Sequence, residues 1–181
     1  MPFPAGYYSV KSVVDGRHIF RSPIEDLSLR PKSIWALKIG APEPRPWLVR
    51  HKGDYTDLEA LGAPTGVYRS DDKRPFAFLI EMDYTLGWIL EPVDDAPPGT
   101  FRIKTKEGNR YWEVETEELA FGRLIKLAEK SPAATQLFVF SLRSEVYAQD
   151  TKSDSDWATQ YRKVPEAQFS MSNKREKKFQ G

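Results

Sequence analysis

The sequence predicts an all-β protein built from three repeats of four strands, and three observations carry that prediction. First, one layout recurs: an apolar run, a polar break, then a strand that sets an aromatic beside an apolar or aromatic residue two places on. It appears as residues 34–39 (IWALKI) followed by Trp47/Val49, as 76–80 (FAFLI) followed by Trp88/Leu90, and as 123–127 (RLIKL) followed by Phe138/Phe140. Second, a glycine, one residue and an aromatic open each unit: Gly6-Tyr7-Tyr8, Gly53-Asp54-Tyr55 and Gly99-Thr100-Phe101. The glycines are spaced by 47 (6 to 53) and 46 (53 to 99), and near-equal periods in this range mark a repeat architecture. Third, aromatics are abundant and fourteen prolines are scattered, which suits short strands joined by turns. A single four-strand unit cannot bury its apolar face alone, and closing three of them into a barrel removes the open edges. The pattern therefore fits a β-trefoil, a six-stranded barrel closed at one end by three hairpins.

In the first repeat, residues 5–52, Tyr8 and Val10 are expected to point inward, with Ser9 and Lys11 outside. Asp15-Gly16 is a two-residue hairpin signal, and His18-Ile19-Phe20 makes the second strand. The loop 21–32 leads to the third strand, and the proline-rich turn 40–46 (GAPEPRP) leads to Trp47. The second repeat, 53–93, starts at Tyr55, but alternation fails at Asp57, so a bulge is expected near Thr56-Asp57. Residues 62–65 (GAPT) read as a turn or an irregular second strand, and 70–74 (SDDKR) as a charged hairpin tip. In the third repeat, 99–142, Phe101 and Ile103 face inward, Glu107-Gly108-Asn109 turns, 111–114 (YWEV) is a strand, and the loop 129–135 (EKSPAAT) precedes the last strand. The predicted domain spans 1–142, with 143–181 as a C-terminal extension. In it, Asp154-Ser155-Asp156 caps a short helix to Lys163 that Pro165 stops, and the end reads as a basic, solvated tail.

A chain of 181 residues can bury a core of useful size. The formal charge of +1 gives no global field toward nucleic acid or membrane. There is no cysteine, which excludes disulfide and thiol chemistry and suits a reducing compartment. The N-terminal stretch lacks the features of a signal peptide, and no apolar run approaches the ~20 residues of a membrane helix. Cytoplasmic localisation is the expectation.

Enzyme signatures are missing. His18 and His51 have no partner at metal-ligand spacing and read as packing or surface residues. Asp71-Asp72 and Asp94-Asp95 are sequence neighbours whose side chains diverge, so they read as turn formers and not as acid–base pairs. No metal, cofactor or catalytic residue is expected. The Q-x-W triplet of trefoil lectins does not occur, and Trp47 and Trp88 sit at repeat anchors as core residues.

The string from Arg21 to Lys32, with Glu25, Asp26, Ser28 and Pro31 within it, precedes an apolar strand and resembles the fungal β-trefoil serine-protease inhibitors of the cospin and cnispin type. Gly6-x-Tyr8, Gly62-Ala63-Pro64-Thr65, Phe76-Ala77-x-Leu79 and Trp88-x-Leu90 follow in the family's order, so the resemblance covers about residues 5–142. The E-D-x-S-L-x-P-K string is the specific part. The extension after Leu142 and the turn 40–46 depart from the family. The resemblance implies a monomeric, non-enzymatic inhibitor of trypsin-like serine proteases, used in defence, that lays one exposed loop into the protease cleft. Members use different loops, so Glu25, Asp26, Ser28, Pro31 and Lys32 are read as loop-shaping. Lys130, followed by Ser131 and the restricting Pro132, is the first choice for the reactive residue, and Arg21 with Ser22 the second. Arg69, Lys73 and Arg74 are crowded by Asp71 and Asp72, whose charge opposes an acidic pocket. The alternatives are a carbohydrate-binding trefoil and a non-inhibitory interaction module.

Overall fold

The computed structural model describes residues 4–22, 24, 29–69, 73–80 and 83–145. Among them there is no α-helix. The strands are β1 (Gly6–Ser12), β2 (Ile19–Arg21), β3 (Lys32–Leu37), β4 (Trp47–Lys52), β5 (Tyr55–Ala60), β6 (Ala63–Tyr68), β7 (Pro75–Ala77), β8 (Tyr84–Leu86), β9 (Trp88–Pro92), β10 (Thr100–Thr105), β11 (Tyr111–Val114), β12 (Gly122–Ala128) and β13 (Phe138–Glu145). One 3-10 turn, Ala134–Gln136, precedes β13.

Six strands close a ring in the order β13, β1, β4, β5, β9, β10, every pair antiparallel, and β10 returns to β13 through Thr100↔Val139 and Phe101↔Phe138. Three hairpins, β2/β3, β6/β7 and β11/β12, lie outside the ring. Their second strands meet one another: β12 pairs with β3, β3 pairs with β7, and the Leu127 N–H donates to the Lys73 carbonyl at 2.7 Å. Strand β8 adds to β6 and, among the described residues, has no counterpart in the other two runs of strands.

The repeat anchors are the core. Trp47, Trp88 and Phe138 are 1%, 0% and 0% exposed, and the Trp112 ring contacts all three edge-on, at centroid distances of 6.1, 5.0 and 6.1 Å. Burying each of these rings contributes on the order of 2–3 kcal/mol. Each buried indole N–H of the first two anchors has a partner within its own run of strands: Trp47 Nε1 donates to the Ile19 carbonyl at 2.7 Å, and Trp88 Nε1 to Thr65 Oγ1 at 2.9 Å. The Thr65 hydroxyl in turn donates a hydrogen bond to the Leu58 carbonyl at 2.7 Å, so the polar group is satisfied on both sides.

Several sequence expectations change. No bulge interrupts β5; its register with β4 runs unbroken from Lys52↔Tyr55 to Trp47↔Ala60. The inward phase is Thr56, Leu58 and Ala60, all buried, while Tyr55 lies on the other face under Lys106 Nζ, 3.9 Å from its ring centroid. Asp57 shares that outer face, where Lys52 Nζ meets it at 2.6 Å. Taking Tyr55 as inward displaces the alternation by one residue and creates an apparent defect. Residues 63–68 are a regular strand, reached through a two-residue turn in which Leu61 and Gly62 have φ of 54° and 70°, the primed geometry that matches strand twist. The β1–β2 turn is longer than two residues: Ser12 N–H donates to the Arg17 carbonyl across residues 13–16. The apolar run 76–80 is strand only to Ala77. Ser9 is buried, with Oγ 3.5 Å from His18 Nδ1, and burial and then the Lys11 charge lower the His18 pKa. Strand β13 runs past Leu142 to Glu145. Residues 70–72 of the expected hairpin tip 70–74 and the expected helix 154–163 lie outside the described residues, as does the unit Tyr147–Gly181.

Candidate functional site

The connection between β12 and β13 is a nine-residue excursion, 129–137, that the chain fixes from beneath. Gln136 carries the arrangement. It closes the 3-10 turn that precedes β13, and it is 0% exposed. A buried amide must find partners. Gln136 Nε2 donates to the Glu129 carbonyl at 2.7 Å and to Glu113 Oε2 at 2.8 Å, and Oε1 accepts from the Ser131 N–H at 2.8 Å. The Ala133 N–H lies 3.3 Å from Ser131 Oγ, and the Gln136 and Leu137 N–H groups close the 3-10 turn onto the Ala133 and Ala134 carbonyls. The Leu137 carbonyl accepts from Val13 N–H at 3.0 Å, which ties the end of the loop to the β1–β2 turn.

Lys130 stands between the two backbone groups that Gln136 holds. Its side chain is 52% exposed and its Nζ donates to Glu91 Oε2 at 3.0 Å. Glu91 also accepts from the Tyr111 hydroxyl at 3.1 Å and faces Lys104 Nζ at 3.9 Å. Burial pushes the Glu91 carboxyl up, but the hydrogen bonds from Lys130 and Tyr111 and the charges of Lys130 and Lys104 together outweigh it and hold it below the ordinary glutamate value. The Lys130 ammonium sits above the ordinary lysine value, first because of its hydrogen bond to Glu91 and then through the charge of that carboxylate. The lysine is thus tethered on the surface by a solvent-screened pair, which an acidic partner can replace.

The second sequence candidate is placed differently. Arg21 is the last residue of β2, opposite Ile34, and is 5% exposed. A guanidinium buried to this degree is not presented to a partner's cleft, so the expectation that Arg21 opens an exposed reactive loop is corrected. Ser22 continues the ladder, its N–H donating to the Ser33 carbonyl at 2.8 Å. Pro31 is half-buried and leads into β3, where Lys32 is 6% exposed and pairs with Ala77. Glu25, Asp26 and Ser28 lie outside the described residues. Sequence reading missed Gln136 and Glu91. Neither has a sequence signal: Gln136 lies in a 3-10 turn that strand alternation does not reach, and the strand that carries Glu91 meets the loop only in the folded chain.

No group of three or more potential metal ligands occurs among the described residues. Trp47 and Trp88 offer no exposed ring for a sugar to stack on.

The model of a family described as peptidase inhibitor I66 matches residues 1–142. No curated protein sequence matches this chain. Among solved structures, the chain is similar to a proteinase inhibitor from Coprinopsis cinerea, with 25% identity and a TM-score of 0.67 over 78% of this chain and 99% of that one. It is also similar to a ricin B-like lectin from Macrolepiota procera solved with lactose, with 17% identity, a TM-score of 0.60 and coverage of 78% and 99%. A third similar structure is described as the BEL β-trefoil, with 14% identity, a TM-score of 0.56 and coverage of 78% and 95%. The last two likenesses concern the fold alone.

Proposed function

The chain belongs to the peptidase inhibitor I66 family, and from that premise we propose that it is a β-trefoil inhibitor of trypsin-like serine proteases that offers Lys130 and Ser131 in a substrate-like loop. It is a protease inhibitor and not an enzyme. In the trefoil reading, β1–β4, β5–β9 and β10–β13 are the three repeats and β8 is an insertion in the second. The observation that carries the loop assignment is that residues 129–137 present a half-exposed lysine between two backbone groups held by one buried side chain. A loop ordered before binding loses less conformational freedom on docking, which favours tight association and slow release. Lys130 supplies the positive charge that the acidic specificity pocket of a trypsin-like protease requires, and such a pocket replaces Glu91 as its partner.

The protein is proposed to act as a cytoplasmic monomer, with cysteine-free composition supporting a reducing compartment. Residues 143–181 are proposed as a C-terminal extension whose first three residues continue β13 and whose part from about Asp150 onward folding does not require, and a role in defence is proposed from the family likeness alone.

The test is residual trypsin activity against increasing inhibitor for the parent, Lys130→Ala and Arg21→Ala. The expected result is a rise in the inhibition constant of 100-fold or more for Lys130→Ala and a much smaller change for Arg21→Ala. Trypsin inhibition that survives Lys130→Ala moves the reactive loop elsewhere. A parent protein that inhibits no trypsin-like protease overturns the protease class.

A further inference from the structure

Gln136 touches both sides of residue 130. Its Nε2 holds the Glu129 carbonyl, one peptide before Lys130, and its Oε1 holds the nitrogen of the Lys130–Ser131 bond itself. The partners leave one orientation for the amide, since the Ser131 N–H can only donate while the Glu129 carbonyl and the Glu113 carboxylate can only accept. Glu113 is fixed in turn by Lys126 Nζ at 2.9 Å. Turning the amide over therefore breaks all three bonds and leaves the amide group of the fully buried Gln136 mismatched with its partners.

This arrangement matters when Lys130 enters a serine protease, so its chemistry rests on the function proposed above. The protease serine attacks the Lys130 carbonyl carbon, and the carbon–nitrogen bond to Ser131 breaks. The serine proton passes through the protease histidine to the Ser131 nitrogen, giving an acyl-enzyme ester and a free α-amine. With an ordinary substrate the amine fragment leaves and water hydrolyses the ester. We infer that Gln136 is the positioning residue that keeps both fragments in place, so that the Ser131 amine attacks the ester again, re-forms the peptide bond and returns the proton to the protease serine. The neutral amine can still donate one N–H to Oε1 while its lone pair faces the ester, and the Glu129 carbonyl on the acyl side stays on Nε2. Groups held in this way reach effective molarities of about 10⁵–10⁸ M, enough for religation to outrun hydrolysis.

The experiment uses the full chain and trypsin. Each protein is nicked at the Lys130–Ser131 bond, incubated with catalytic trypsin, and followed by mass spectrometry as intact chain re-forms; hydrolysis of intact chain is followed in parallel, with a thermal melt for every variant. Gln136→Met keeps side-chain length and removes the three hydrogen bonds. It is expected to lower the religation rate at least 30-fold and to turn lasting inhibition into temporary inhibition. Glu113→Gln leaves Gln136 in place but weakens its anchor, and is expected to lower religation several-fold; it carries the test if Gln136→Met does not fold. A purely structural role lowers the melting temperature and leaves the religation rate of the folded protein unchanged. If Lys130→Ala abolishes inhibition while both variants religate at the parent rate, the role of Gln136 is overturned and the loop assignment stands. If Lys130→Ala leaves inhibition intact, both fall together.

Discussion

The β3–β4 connection, 38–46, and the β12–β13 connection, 129–137, are the same length and each joins a hairpin strand to a ring strand, yet they are ordered by different means. The first is stiffened along its own backbone. Pro42, Pro44 and Pro46 each fix one φ, Gly40 turns at φ 83°, and the turn is closed by Ala41 N–H on the Lys38 carbonyl at 3.0 Å. Its long-range holds are Lys38 N–H to the Phe121 carbonyl and an ion pair of Glu43 with Arg143, and Ile39 stands 74% exposed. The second carries one proline and is held from below by a buried amide that joins three points of the chain. Proline order is local and divisible; an amide cross-link is shared and fails as a unit. A loop that must keep its shape after being cut needs the second kind, because stiffness along a backbone ends where the backbone is broken.

The sharpest test is Gln136→Met. It strips one partner each from the Ser131 N–H, the Glu129 carbonyl and Glu113 at a part-buried site, and is expected to destabilise the fold by about 1–3 kcal/mol. Urea unfolding measures this directly. The matching change in the other loop is Pro42→Ala at an exposed position. It acts mainly by freeing the unfolded chain and is expected to lower stability by about 1 kcal/mol or less. Equal losses from the two substitutions would erase the distinction between the loops.

Much of the fold was legible because its cause is periodic. Trp47, Trp88 and Phe138 recur at matched places since each fills the same layer, and Trp112 packs against all three. The error at β5 shows the limit of such reading. Tyr55 follows the marker glycine as Tyr8 does, but it lies outside under Lys106, and a one-residue change of phase looked like a bulge. In the loop, Lys130 was singled out from its setting before Ser131 and Pro132, and its half-exposed position is what the structure adds. Its hold on Glu91 was not legible, since the two are 39 residues apart and meet only when β9 is in place. Arg21 was misread because an arginine at the end of a strand looks the same in sequence whether it enters the loop or the protein interior.

A third prediction asks whether local order in the first loop depends on its ion pair. Glu43 and Arg143 are each about half exposed, at 52% and 49% of their side chains. Solvent screening makes such pairs weak, typically ~0.2–1 kcal/mol. Glu43→Ala is therefore expected to lower stability by no more than about 0.5 kcal/mol, half or less of the proline effect, with inhibition unchanged.

The smallest effect in stability, and the most specific, belongs to Glu91. Its folded-state pKa lies below the ordinary glutamate value, so its ionised form stabilises the folded protein at neutral pH. That contribution is present above the unfolded value of about 4.3 and is lost as pH falls through the lower folded value, because the native carboxylate must then take up the proton the unfolded chain already holds. Glu91→Gln removes the titration while keeping the shape and one acceptor for Lys130 and Tyr111. The expectation is a small loss of stability relative to the parent at pH 7 that shrinks toward zero near pH 3, with Ser131 amide exchange unchanged because Gln136 holds that group independently. Unfolding curves at the two pH values and exchange at Ser131 measure both halves. A deficit that persists at pH 3 would mean that shape at residue 91 matters more than its charge. A Ser131 amide that exchanges faster in Glu91→Gln would mean that the lysine tether, and not the buried glutamine, sets the order of the loop.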